Sequence, residues 1–249
     1  LPGLAVELVQ LKVDVIVTQG SPAASAAQKS TAAIPIVMGS VSDPVGNGYV
    51  KTLAHPGGNI TGFSNINVEI GPKRLEMLRS FAPKLSRVAV LVNPSNPSHV
   101  TYVKNIQSAA RTVGVTVLPV EARTAPEIES AFSRMAREKA GALIVAADAL
   151  FSQQVRQTAE LAEKHRLPSI AAYREYAEAG GLMSYGQNQA DNFRRVAIYV
   201  DKIFKGANPG DLPVEQPTIF ELIINGKTAK ALGLKIPYAL QIMANKVIE

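Results

Sequence analysis

The chain contains no cysteine. That absence removes disulfide bonds, thiolate metal sites and cysteine nucleophiles together. It leaves the compartment open, because cytosolic and exported bacterial proteins alike can lack the residue. Histidine is nearly as scarce: His55, His99 and His165 lie far apart, without the spacing of metal ligands. His55 precedes Pro56-Gly57-Gly58 in a loop, His99 falls in the first turn of a helix and His165 ends another, so a surface position is expected for each. No apolar run approaches the roughly 18–20 residues that a membrane-spanning helix requires. Also missing are G-x-x-x-x-G-K-[ST], a G-x-G-x-x-G after a strand, and G-x-S-x-G. Nothing nominates a catalytic nucleophile or base, and no cofactor or metal is expected.

What is present is core material. Of 249 residues, 47% are hydrophobic and 18% charged, as in an ordinary globular chain long enough for one large α/β domain or two lobes. The net charge of +6 is carried by Lys and Arg scattered along helices, which reads as a solvated surface and not as a nucleic-acid footprint.

Five apolar β-type runs, residues 13–17, 34–37, 88–92, 142–145 and 169–172, each end in a small or polar break and feed a helix-like segment. This alternation predicts an α/β fold of doubly wound parallel sheets, whose strand carboxyl ends share one edge where ligands bind. Helical stripes recur between the strands: Leu75, Leu78 and Ala82; Val103, Ile106 and Ala110; Phe193, Val196, Ala197, Val200 and Ile203. A helix ending at Ala82-Pro83, a glycine-bracketed strand at residues 180–186 and an extended stretch at residues 212–224 suggest three crossings between two lobes. The boundaries expected are residues 1–84 with 184–214 for lobe I, and residues 85–183 with 215–249 for lobe II. One continuous sheet remains the alternative at this point.

Residues just beyond the strands are the candidate contacts. Ser21-Pro22 has the form of an N-cap followed by an N1 proline, whose free N–H groups suit a carboxylate. Asn93-Pro94-Ser95-Asn96-Pro97 repeats the arrangement, nominating Asn93 and Ser95. Asp148 is either a helix N-cap or an acceptor for an ammonium group. Tyr173 and Tyr185 lie near the same edge, with Ser184 beside Tyr185 in the glycine-flanked strand. A carboxylate site, an ammonium acceptor and aromatic walls describe a pocket for an amino acid or an aromatic acid.

These residues lead to a resemblance. Val13-Asp14-Val15-Ile16-Val17, Ser42-Asp43-Pro44-Val45, Pro56-Gly57-Gly58-Asn59-Ile60-Thr61-Gly62 and Val90-Leu91-Val92-Asn93-Pro94 stand in the order found in one family. So do Arg174-Glu175-Tyr176, Gly180-Gly181-Leu182-Met183-Ser184-Tyr185-Gly186, Leu212-Pro213-Val214-Glu215-Gln216-Pro217 and the closing residues 225–234. The chain resembles the substrate-binding proteins of ABC importers of the tryptophan/tyrosine type. The resemblance implies a type I periplasmic-binding-protein fold, two lobes joined by a three-crossing hinge with a small carboxylate ligand held between them. It implies a monomer free in the periplasm, a permease of the inner membrane as partner, and no covalent chemistry. Family members carry a further strand-helix-strand unit ahead of the position of Leu1, so part of the site is expected to lie outside this chain. Two other classes share the architecture: an effector-binding module of a transcription regulator, and a small-molecule isomerase or racemase.

Overall fold

The computed structural model describes all 249 residues. In chain order its elements are helix α1 (Pro2–Gln10), strand β1 (Ile16–Thr18), α2 (Ser21–Ser30), β2 (Ile36–Ser42), β3 (Ile60–Asn65), α3 (Gly71–Phe81), β4 (Arg87–Val92), α4 (Ser98–Thr112), β5 (Thr116–Glu121), α5 (Ala125–Arg137) and β6 (Ala142–Val145). Then come α6 (Ala149–Gln153), α7 (Val155–Lys164), β7 (Ser169–Ala171), α8 (Arg174–Glu178), β8 (Met183–Gln187), α9 (Gln189–Phe204), β9 (Phe220–Asn225), α10 (Gly226–Ala231), α11 (Tyr238–Met243) and β10 (Lys246–Ile248). A strand overlaps each of the five apolar runs. The chain forms two compact units, residues 1–66 with 189–218 and residues 67–188 with 219–249, and passes from one to the other three times.

The first unit holds a three-stranded parallel sheet, β1-β2-β3. One face of it, Ile16, Ile36 and Met38, packs with Ala24 and Ala27 of α2. The opposite face sets Val37 and Phe63 against Val196 and Tyr199 of α9. Phe63 meets Tyr199 edge to face at 4.9 Å between centroids, and the Arg195 guanidinium covers the Phe63 ring.

The second unit is built on seven strands in the order β10-β9-β8-β7-β6-β4-β5, with only β8 and β9 antiparallel. Because successive strand residues point to opposite faces, β4 divides its apolar side chains between two cores. Val88, Val90 and Val92 join Leu75, Leu78 and Phe81 of α3 and Ile106 of α4. Ala89 and Leu91 join Ile128, Phe132 and Met135 of α5. Each large side chain buried here contributes roughly 1.5–3 kcal/mol by leaving water.

The unit boundaries differ from those expected in sequence. Residues 67–84 and 184–188 belong to the second unit, and residues 215–218 to the first. The physical reasons are local. The apolar stripe of α3 packs on β4, the strand that follows it. Strand β8 is paired on both sides, with β7 and β9. Glu215 is bonded to β3, its N–H donating to Gly62 O at 3.0 Å and its carbonyl accepting from Ser64 N–H at 2.9 Å.

Arg74 is the least expected core residue. It is fully buried (0% exposed) within α3 and takes part in none of the chain's ion pairs. Its Nε donates to Tyr185 O at 3.0 Å, Nη1 to Tyr102 Oη at 3.1 Å and Nη2 to Asn67 Oδ1 at 2.7 Å. A guanidinium out of water is costly unless its donors are satisfied, and three neutral acceptors supply that here. Arg74→Met recovers the desolvation cost but orphans three buried acceptors. The second effect is the larger, so the urea midpoint should fall by an amount equivalent to about 2–4 kcal/mol, at unchanged m-value.

Candidate ligand-binding site

In the second unit the carboxyl ends of β4 and β6 meet through side chains. Asp148 is buried, and its carboxylate accepts from Asn93 Nδ2 at 3.0 Å, Asn96 Nδ2 at 2.9 Å and Leu150 N–H at 3.0 Å. The last bond makes Asp148 the N-cap of α6. The structural half of its expected role is therefore present, and three neutral donors surround its charge. Asn93 Oδ1 in turn accepts from Ser95 N–H at 3.0 Å. Ser95 itself is exposed and joins the cluster through its backbone. The helix after this turn begins three residues later than Ser95, at Ser98, so Ser95 does not cap it.

Asn96 and His99 complete the cluster, and neither is among the residues nominated from sequence. His99 is buried (6% exposed), against the surface position expected for it. Its Nδ1 accepts from Asn93 N–H at 3.0 Å, and its Nε2–H donates to Ala147 O at 3.2 Å. A neutral imidazole uses each nitrogen once in this way. Burial pushes its pKa below 6.5, opposed by the bond to Ala147, the charge of Asp148 and the carbonyl of Asn93.

Tyr173 lies half-buried two residues beyond the end of β7, as the N-cap of α8. Ser184 pairs with Ala171, the last residue of β7, so it stands level with that strand's carboxyl end. It is 1% exposed, and its hydroxyl has no hydrogen-bond partner. Tyr185 points to the other face of β8, where its ring packs 6.0 Å from Phe220. Asp148 and Tyr173 follow the neighbouring strands β6 and β7, about 4.8 Å apart, whereas Ser184 lies within β8, three residues before its carboxyl end.

The first unit has its own strand-end group. Gly20 caps α2 with φ 77°, a conformation glycine adopts without strain, and its N–H donates to Ser40 O at 3.0 Å. Ser21 is thus the first helical residue and not the cap expected from sequence; it is buried, and its carbonyl accepts from Tyr49 Oη at 3.0 Å. Ser42 Oγ donates to Asn65 Oδ1 at 2.7 Å, and Asn65 Nδ2 donates to Ser40 Oγ at 3.0 Å, joining the ends of β2 and β3. Thr18 Oγ1, Gln19 Oε1 and Asn192 Nδ2 are buried here without partners. Gln19 closes the stretch that leads into Gly20-Ser21, and its adjacency to that turn was the available signal.

Comparison with known proteins gives this geometry a context. A family model described as ABC transporter substrate binding protein matches residues 3–248. A tyrosine-binding protein of Clostridioides difficile is 29% identical over 233 residues, 93% of this chain. The chain spans 66% of the length of that relative. Among solved structures, an ABC domain in complex with L-Trp from Streptococcus pneumoniae is 28% identical, with a TM-score of 0.90 over 99% of this chain and 85% of that one. A conserved domain protein from Vibrio cholerae, also 28% identical, has a TM-score of 0.91 over 99% and 84% of the two chains. The α/β architecture expected from the strand and helix pattern is the one these structures share.

The pKa of His99 carries a stability prediction. Its folded value lies below the 6.5 of an ordinary imidazole, so below that pH the unfolded chain takes up the proton first. The stability due to neutral, buried His99 is complete above 6.5 and is lost as pH falls from there towards the folded value. Urea midpoints measured from pH 7.5 downwards should decline through this window, and His99→Gln should flatten the decline.

Proposed function

Because this chain belongs to the ABC transporter substrate-binding protein family, we propose that it captures an aromatic amino acid at its strand carboxyl ends and delivers it, chemically unchanged, to a membrane permease. The observation that carries this reading is Ser184. A hydroxyl 1% exposed and without a protein partner, level with the last residue of β7, the strand that leads to Tyr173, is a group left for a ligand. Asp148 is held by neutral donors only, so an ammonium group would supply a counter-charge that its neighbours do not. In the first unit the start of α2, a helix of ten residues, places the positive end of its dipole just beyond β1, which favours a carboxylate there by up to roughly 2 kcal/mol when partly buried. Asn93, Ser95 and Asn96 act behind Asp148 by fixing its carboxylate. Tyr173 and Tyr185 supply aromatic surface.

The class of cargo is supported by the relatives: one is a tyrosine-binding protein and another was solved with L-Trp. A ligand that binds one conformation of the protein more tightly than another shifts the population towards it, which is how such a protein signals that it is loaded. The protein acts as a monomer in the periplasm, and no helix in it is long and apolar enough to cross a membrane.

Thermal unfolding with a panel of L-tyrosine, L-tryptophan, L-phenylalanine, L-leucine, L-glutamate and ribose tests the reading. An aromatic amino acid at a hundred times its Kd should stabilise the chain by about 2.7 kcal/mol and raise its melting temperature. Ser184→Val should weaken that ligand about tenfold while leaving the unliganded melting temperature within a degree or two. A panel in which only ribose or glutamate raises the melting temperature contradicts the proposal.

A further inference from the structure

Two orphaned amides in the first unit bear on which aromatic ring is bound, given the aromatic-ligand reading above. Helix α9 turns Asn192, Val196 and Tyr199 inward as one stripe. Val196 and Tyr199 pack on Val37 and Phe63, which places the start of the helix toward the carboxyl end of β2. Asn192 is 5% exposed, and its Nδ2 has no partner. Gln19 directly follows β1, and its Oε1 is likewise buried without a partner. Gln19 and Phe193, the residue after Asn192, converge on Gly39 of β2. A Cβ at Gly39 would stand 3.0 Å from Gln19 Oε1 and 3.5 Å from Cε1 of Phe193, the residue after Asn192. A side chain at position 39 would fill the space where an amide acceptor and an aromatic edge converge.

Most buried polar atoms in folded chains are hydrogen-bonded, so an acceptor after β1 and a donor at the start of α9, both left open in this unit, call for a partner. The donor and acceptor count selects that partner. An amino-acid head group brings three ammonium donors and about four carboxylate lone pairs, far more than one amide oxygen and one amide nitrogen can satisfy. An indole N–H donates but cannot accept. A phenyl ring does neither. A phenolic hydroxyl does both once, donating to Gln19 Oε1 and accepting from Asn192 Nδ2, while its ring lies against Phe193.

We propose that Gln19 and Asn192 form a recognition pair for a hydroxyl group on the ligand's aromatic ring, so that the site prefers a phenol to an indole and an indole to an unsubstituted phenyl.

Calorimetric titration of the full chain with L-tyrosine, L-tryptophan, L-phenylalanine and O-methyl-L-tyrosine tests this. L-tyrosine should bind at least about tenfold more tightly than L-phenylalanine, with the indole and the methyl ether, each able to use one amide only, in between. Gln19→Leu and Asn192→Leu should each reduce the tyrosine-to-phenylalanine ratio to about threefold or less while the affinity for L-phenylalanine stays within about threefold of the parent chain. Equal affinities in the parent chain overturn the recognition pair and leave the aromatic-ligand reading standing. A ratio that survives both substitutions also overturns it. Absence of binding by all four compounds removes the broader reading and this inference with it. Equal affinities in the parent chain overturn the pair even if a variant fails to fold.

Discussion

Parallel strand pairing is the constraint from which the rest of this structure follows. A parallel sheet leaves no face for water, so each strand must supply apolar side chains in both directions and each connection must return over a face. β4 does so with Val88, Val90 and Val92 on one side and Ala89 and Leu91 on the other. Once both faces are covered, only the strand ends are free to carry polar groups. That is where Asn93 and Asp148 stand in the second unit, with Ser184 level with the last residue of β7, and Gln19, Ser40 and Asn65 in the first.

The buried polar groups fall into two kinds. Arg74, Asp148 and His99 are satisfied by the chain itself: neutral acceptors around the guanidinium, neutral donors around the carboxylate, and one bond to each ring nitrogen. They hold the ends of strands and turns in fixed positions. Ser184, Gln19 and Asn192 are not satisfied. A rigid, internally bonded frame that presents a few open hydrogen-bonding atoms is what selective capture of a small molecule requires, because the frame cannot adjust to a ligand that leaves those atoms unpaired.

The fold was legible where it depends on burial, because a strand covered on both faces must be a short apolar run between turn residues. Residues 142–145 coincide with β6 for this reason. What a stripe packs against was not legible. Leu75 and Leu78 announce a buried face of α3, yet nothing local says that the face meets β4, so the sequence places the helix in the first lobe and the structure in the second unit. Burial of polar residues was equally hidden. Arg74 and His99 look in sequence like any surface Arg or His, and only the acceptors brought from distant positions make their burial tolerable. At Asn93-Pro94-Ser95-Asn96-Pro97 the turn was evident, but the choice between Ser95 and Asn96 as the inward residue depends on backbone direction after Pro94. At Ser21 the pattern of serine then proline suggested the cap, whereas the positive φ of Gly20 gives the cap to the glycine before it.

The account's central claim is that the strand carboxyl ends hold the ligand. A crystal structure of the chain grown with a saturating aromatic amino acid measures this directly. The account predicts ligand density within hydrogen-bonding distance of Ser184 Oγ, with the ammonium group directed at Asp148. Ordered ligand instead in the groove of about 450 Å³ lined by Pro83, Lys84, Ser86 and Lys139, at the opposite ends of the strands, would contradict it.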